Sequence, residues 1–205
     1  MNLWYFISKL IKKLHIPALK NSIINKTAKI SSYSHVVNTE MGKYSYMGNN
    51  CTVVNVQIGK FCSIADNCII GGASHPIEWV STSPVFHEGK NIMKRNFSKH
   101  TYSTGSLTVI GNDVWIGNNC LIKSGVKVED GAVIGMGSIL TKNVGAYEIW
   151  AGNPARLIRM RFSEDKIEKL LESNWWEWDD EILSKKAYCF NDIEKFLITE
   201  KENNT

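Results

Sequence analysis

The sequence predicts a mainly β fold, a left-handed parallel β-helix of six-residue repeats, and three observations carry that expectation. Aliphatic or Met side chains recur at Ile30, Val36, Met41, Met47, Val53, Ile58, Ile64 and Ile70, and again at Ile110, Ile116, Ile122, Val128, Ile134 and Leu140. Each step is six residues except two of five, Val36 to Met41 and Val53 to Ile58. The position four residues after the aliphatic one is small, as at Ser34, Ser45, Cys51, Cys62, Cys68, Cys120 and Ser138, and the position directly after the aliphatic one is often Gly, as at Gly42, Gly59 and Gly117. A period of six matches neither a helix nor a simple strand. It fits a coil with three short faces, in which the aliphatic and small residues fill the interior and Gly permits backbone that a Cβ would hinder. Stacked coils then satisfy one another's backbone groups around one continuous core.

Each remaining segment is read against that coil. Leu3, Phe6, Ile7, Leu10, Ile11 and Leu14 recur at helical spacing with Lys9, Lys12 and Lys13 among them, so residues 1–20 are expected to hold an amphipathic basic helix ending before Pro17. It is too short and too charged to cross a bilayer and lacks a signal-peptide cleavage site. Two roles are open to it: covering the exposed end of the coil, or resting on an anionic membrane surface through residues 2–15. The coil domain is expected over 21–160, interrupted by an excursion at 76–106. A long loop inside a regular repeat usually serves binding. Its aromatics, Trp79, Phe86, Phe97 and Tyr102, could wall a substrate or clasp a neighbouring subunit. Residues 161–205 change character: Ser163-Glu164-Asp165 reads as a helix start, and Trp175, Trp176 and Trp178 read as docking anchors for a helical tail.

Composition narrows the function. A net charge of +4 is too mild for a nucleic-acid binder but suits a phosphate-bearing small molecule. Five cysteines form no CxxC pair, and the odd count argues against a disulfide framework, so a reducing cytoplasm is the expected setting, without a metal site. Cys51, Cys62, Cys68 and Cys120 occupy the small inward slot and are read as core packing, with Cys189 packed in the tail.

Several segments resemble the hexapeptide-repeat acetyltransferases, in the branch that holds xenobiotic and polysaccharide O-acetyltransferases. The carriers are Gly42-Lys43-Tyr44-Ser45-Tyr46, Ile58-Gly59-Lys60-Phe61-Cys62-Ser63-Ile64, Gly71-Gly72-Ala73-Ser74-His75, Ile110-Gly111-Asn112-Asp113-Val114-Trp115-Ile116-Gly117, Gly152-Asn153-Pro154-Ala155 and Trp175-Trp176-Glu177-Trp178. The resemblance implies acetyl-CoA as co-substrate and His75, at the coil-to-loop junction, as general base. An imidazole titrating near neutrality can take the proton of a hydroxyl attacking a thioester. His87 and His100 are weaker candidates in the same loop, and His15 and His35 are read as structural or surface residues.

In such relatives coenzyme A lies in a groove between neighbouring subunits. The matching positions are Trp115, Gly117, Asn118, Met136, Gly137, Thr141 and Lys142, with Arg156 and Arg159 suited to phosphate. Met136 departs from the small residue common there. The resemblance also implies a homotrimer with active sites between subunits, and an acceptor pocket lined by Tyr44, Ser45, Tyr46 and Asn49, joined by Trp79 of the excursion. The acceptor expected first is a saccharide hydroxyl near the inner membrane face. The alternative is an antibiotic of the streptogramin or chloramphenicol type. N-acetylation of an amino sugar and a silent scaffold are further alternatives.

Overall fold

Three stacks of short strands, one per face of the coil, account for the six-residue period. The computed structural model describes residues 3–103 and 105–203. Face one stacks Ala18–Lys20, the first half of His35–Met41, the first half of Thr52–Ile58, Ile69–Gly71, Leu121–Ile122 and Ile139–Leu140. Face two stacks Ile23–Ile24, the second halves of the same two long strands, Thr108–Ile110 and Lys127–Val128. Face three runs through Lys29–Ile30, Tyr46–Met47, Ser63–Ile64, Trp115–Ile116, Val133–Ile134 and Glu148–Gly152. The antiparallel strand Ala155–Met160 closes that stack. Register is parallel throughout the coil: Val36, Val53, Ile70, Ile122 and Leu140 lie one above another, all fully buried. These inward side chains form the continuous core that the period implies.

The two five-residue steps coincide with the seven-residue strands His35–Met41 and Thr52–Ile58, which pass the corner from face one to face two unbroken. Asn38 and Asn55 make that corner with left-handed φ of 49° and 59°, a conformation Asn tolerates better than most residues.

The repeat glycines act differently from the expectation. Gly42 and Gly59 do not take left-handed φ. A Cβ on Gly59 would instead lie 2.5 Å from the carbonyl oxygen of Gly111 on the next coil. Close stacking, rather than backbone freedom, therefore requires Gly there. The left-handed corners fall to other residues: Asn50, Asn67 and Asn119 at one edge, and Tyr44, Phe61, Asp113 and Tyr147 at another.

Cys51, Cys62, Cys68 and Cys120 are fully buried and free, as packing residues should be. Burial pushes the Cys62 thiol up to about 12, which leaves it protonated and inert near neutrality.

The N-terminal helix, Leu3–Leu14, forms as expected. Leu3, Trp4, Leu10 and Leu14 are exposed, and Leu19 and Ile23 on the coil's first edge are exposed too. No helix among the described residues is long and apolar enough to cross a membrane. The coil itself begins at Ala18, since Ala18–Lys20 pairs with the next coil.

The tail comprises helices Glu164–Ser173, Asp180–Lys186 and Ile193–Asn203, joined by short 3-10 turns. Ser163 precedes the first helix in extended backbone, yet its side chain forms no cap bond to the helix amides. Asp179 does cap the second, accepting from the Ile182 amide at 2.8 Å. Trp175 and Trp176 are buried in a second core with Cys189 and Phe196. Trp175 meets Phe61 of the coil at 4.9 Å between ring centres. Lys60 pairs with Glu177, and the Tyr44 hydroxyl donates to Asp180 at 2.5 Å. The tail is thus bound along the face-two to face-three corner, and the tryptophans are the anchors the sequence suggested.

Candidate functional site

The excursion departs where Ile69–Gly71 ends and returns at Thr108, both on one corner of the coil. Gly71 and Gly72 have φ of 76° and 105°, which lets the chain leave the helical path. Its return is held by the next coil: the Ser124 hydroxyl donates to the Ser106 carbonyl, and the Gly125 amide donates to the Thr108 hydroxyl, each at 3.0 Å.

His75 sits just beyond the departure point, exposed, followed by buried Pro76. Its Nδ1 lies 2.8 Å from the Thr82 carbonyl oxygen. A carbonyl only accepts, so Nδ1 carries the proton in this bond and Nε2 is left with its lone pair. The ring is oriented and its tautomer fixed by backbone alone.

The excursion packs on itself around Trp79. Its indole stands edge-on to His100 and Tyr102 at 5.7 Å each and to His87 at 6.5 Å. The Tyr102 hydroxyl lies 3.2 Å from the Ser74 hydroxyl, tying the cluster to the residue before His75. Phe86 and Phe97 form a second pair at 5.8 Å. Between these pairs lies a cleft of about 740 Å³ lined by Glu78, Trp79, Ser81, Phe86, His100 and Thr101, among others. The segment that receives the His75 hydrogen bond therefore also borders the cleft. His87 is buried with its Nδ1 3.1 Å from the Glu88 carbonyl, so it packs inside the loop.

The residues expected to hold the co-substrate fall in three places. Gly117, Asn118, Met136 and Gly137 stack at the corner from face three to face one, joined by the Gly137 amide donating to the Asn118 carbonyl at 2.8 Å. The Gly152–Ala155 turn lies over the same corner, where the Gly152 amide donates to the Ser138 hydroxyl at 3.2 Å. Arg156 follows that turn with its guanidinium exposed. Thr141 and Lys142 lie at the other end of face one, in the column of corners that begins at Gly71 and leads to His75. Trp115 and Arg159 project outward from face three, bordering a cleft of about 370 Å³. Met136 is 77% exposed, so its bulk stands outward from the corner. One chain does not bring these groups together.

The expected acceptor residues fare less evenly. Ser45 is 1% exposed, donating to the Gly59 carbonyl and accepting from the Cys62 amide, so it is a core hydroxyl and not a pocket wall. Tyr44 spends its hydroxyl on Asp180 in the tail. Asn49 donates twice to the Asp66 carboxylate, at 2.6 and 3.0 Å, as a corner tie. Tyr46 is exposed on face three, and Trp79 lines the excursion cleft.

Sequence reasoning missed a polar cluster at the tail corner. Arg161 donates from Nη1 to Asp113 at 3.1 Å and to the Gly131 carbonyl at 2.6 Å. Its guanidinium also lies 5.2 Å from the Tyr147 ring centre. Burial holds the Asp113 carboxyl above the usual carboxylate range, with Arg161 opposing the shift. Nothing in the six-residue pattern distinguishes Asp113 from a corner residue, and Arg161 lies beyond the repeat. The Thr82 carbonyl was equally invisible, being backbone.

With this geometry in hand, comparison with known proteins bears out the resemblance. A family profile, Bacterial transferase hexapeptide (six repeats), matches residues 107–142. The chain is 45% identical over 113 residues to a chloramphenicol acetyltransferase of Agrobacterium fabrum, covering 55% of this chain and 54% of that one. It is 38% identical over 87 residues to the galactoside O-acetyltransferase of Escherichia coli, covering 42% and 39%. The chain spans about half the length of the first of these relatives. The fold is shared with an N-acyltransferase of Bacillus cereus, at 18% identity and a TM-score of 0.52 over 81% of this chain and 96% of the other.

Proposed function

We propose that this hexapeptide-repeat protein is an acetyl-CoA-dependent O-acetyltransferase that acetylates a saccharide hydroxyl by direct transfer, with His75 as general base. One observation carries the reading: the Thr82 carbonyl holds Nδ1–H of an exposed imidazole, leaving Nε2 ready to accept a proton. Nε2 would take the acceptor's hydroxyl proton as that oxygen bonds to the thioester carbonyl carbon. The tetrahedral intermediate then expels the coenzyme A thiolate as the C–S bond breaks, and the imidazolium returns the proton to sulfur. No acyl-enzyme is required, since proximity of two bound substrates supplies much of the acceleration. The four core cysteines take no part, because all are fully buried.

The co-substrate reading rests on outward-facing groups of suitable chemistry. Lys142, Arg156 and Arg159 are exposed cations suited to phosphate, and Trp115 offers an exposed ring. These groups sit at opposite ends of face one and on face three. A groove between two copies, in a homotrimer packed through flat coil faces, would bring one end of face one against a neighbour's other edge.

The saccharide reading is supported by the excursion cleft, where Glu78, Ser81, His100 and Thr101 offer hydrogen bonds beside the Trp79 ring. Surface association through residues 2–15 belongs to this reading, because exposed Leu3, Trp4, Leu10 and Leu14 share a helix with three lysines. An antibiotic acceptor is the second reading, favoured by the 45% identity to a chloramphenicol acetyltransferase.

The test is release of free thiol from acetyl-CoA with a panel of sugars, a galactoside and chloramphenicol, alongside sedimentation with anionic vesicles with and without residues 1–20. Turnover of sugars supports the proposal. Turnover of chloramphenicol alone, with truncation changing nothing, replaces the saccharide with the antibiotic. Thiol release with no acceptor in the panel above background would overturn acetyl transfer itself.

A further inference from the structure

The first coil is an open end of the repeat. Ala18–Lys20, Ile23–Ile24 and Lys29–Ile30 each pair with the second coil along one edge and, among the described residues, meet no strand on the other. The core column therefore ends in the open. Leu19 stacks on fully buried Val36, yet is itself 51% exposed. Ile24 and Ile30, in register with buried Met41 and Met47, are only partly covered. Ile16 and Ile23 stand at the rim, 79% and 70% exposed.

Cations ring this apolar centre. Lys20 lies on face one, Lys26 at the corner between faces two and three, and Lys29 on face three, all exposed. Residues 1–39 hold six lysines and neither Asp nor Glu. The first acid, Glu40, lies on the second coil beside Ile23. Of the tail acids, Asp180 reaches the second coil, where it is matched by Lys43 at 3.6 Å.

Charge decides what can cover such an end. A second copy set end to end would bring six lysines against six, a like-charge contact that specific interfaces avoid. With the adjoining helix in place, Leu19 and Ile23 are still exposed. An anionic lipid surface suits both features. It attracts the lysines, whose stems lie along apolar surface, and it accepts the aliphatic side chains at its interface. The free strand edge sets the depth. Its unpaired backbone groups need water or headgroups, so the end rests at headgroup level and stays out of hydrocarbon.

We propose that the open end of the coil is a docking surface for an anionic membrane, on which the coil stands upright with Lys20, Lys26, Lys29 and Ile23 in contact. This extends surface association from the helix to the folded domain and gives it an orientation, and to that extent it rests on the reading proposed above. Gly71, where the excursion departs, is three coil steps from this end, about 14 Å at about 4.8 Å per step. The acceptor such a stance serves is a saccharide carried on a lipid of the same surface.

The test sediments the full chain with vesicles of phosphatidylcholine, alone or mixed with phosphatidylglycerol. Binding is expected on the mixed vesicles only. Lys20→Gln, Lys26→Gln and Lys29→Gln together should weaken it about 10²-fold, at about fivefold for each lysine near the surface. The matched set Lys90→Gln, Lys94→Gln and Lys99→Gln removes the same charge from the excursion and should change nothing. All six lysines are exposed, so folding is expected to survive both sets. Mixed vesicles should slow hydrogen exchange at residues 18–30 and leave 76–106 unaffected. The first set should also lower thiol release with a vesicle-borne glycolipid while sparing release with its free sugar. Equal binding by the two sets, equal binding to neutral vesicles, or vesicle-free pairing of two copies that protects 18–30 would each overturn the proposal. Binding lost with residues 1–15 but untouched by the first set would overturn it too, leaving association through the helix alone. Thiol release absent with every acceptor would count against acetyl transfer and not against docking, which sedimentation and exchange read without turnover.

Discussion

The corner from which the excursion departs and the corner that carries the tail are built from the same six-residue repeat, yet they end in opposite states. At the tail corner, Tyr44, Phe61, Asp113 and Tyr147 stack in left-handed backbone and are covered by Trp175 and its neighbours. At the excursion corner the column is Gly71, Lys123 and Thr141, and the chain leaves it to present an exposed imidazole. The inward residues of the two corners are interchangeable aliphatics. The outward residues are not: aromatic rings at one corner bury a tail, while glycine at the other releases a loop. In this fold the core sets position and the corner sets purpose.

The comparison breaks most sharply at His75. His75→Ala should lower kcat by about 10²–10⁴-fold with little change in thermal unfolding, because the side chain is exposed. A variant with near-normal turnover at neutral pH removes His75 from the chemistry. Trp175→Ala is the opposite experiment. It should destabilise the protein by about 3–5 kcal/mol, read by denaturant titration, with turnover per folded molecule preserved. Lost turnover in molecules shown to be folded would tie the two corners together.

Between these lies the shared core. Cys62→Ser should lower stability by about 1–3 kcal/mol, since a hydroxyl in that slot needs a stronger partner than a thiol does. Native Cys62 should also resist alkylation at pH 8, its thiol being pushed up to about 12. Rapid labelling of the folded protein would contradict the burial argument.

A smaller effect sharpens the tail corner through pH. Burial, helped by the Asp113 charge, raises the Tyr147 phenol above its ordinary value. The unfolded chain therefore releases that proton first, near pH 10. Stability is fully held below that pH and is lost as pH rises toward the folded value. Tyr147→Phe should make the fall in stability above pH about 10 shallower by one proton. An unchanged slope would mean that the ring is not buried. Smallest of all, Lys142→Ala or Arg156→Ala should raise the KM for acetyl-CoA by up to about fivefold, as befits exposed cations. An effect confined to the acceptor would move those cations elsewhere in the site.

Much of this molecule was legible in its residues. The spacing of Val36, Val53, Ile70, Ile122 and Leu140 foretold one vertical stack, and even the five-residue steps had a counterpart in the two long strands that turn a corner unbroken. The cysteines were placed correctly because the inward slot admits only small side chains. The site was less legible. Ser45 satisfied both a core pattern and a pocket pattern, and only its buried hydroxyl bonds decided between them. Tyr44 and Asn49 carried polar groups that could have faced a ligand, but they are engaged by Asp180 and Asp66.

The sequence by itself determined the coil, because a strict period leaves the inward side chains only one way to stack. It also marked His75, through the resemblance of the Gly71–His75 segment to the hexapeptide-repeat acetyltransferases. Only the tertiary structure decided what surrounds them. The Thr82 carbonyl that fixes the imidazole is a backbone group, set by the path of the loop. The Asp113–Arg161 pair joins residues 48 apart in the chain. The exposed state of the N-terminal helix depends on whether the coil's first edge presents a surface that fits it. Contacts between distant segments depend on where the chain returns in space, and a periodic pattern carries no record of that.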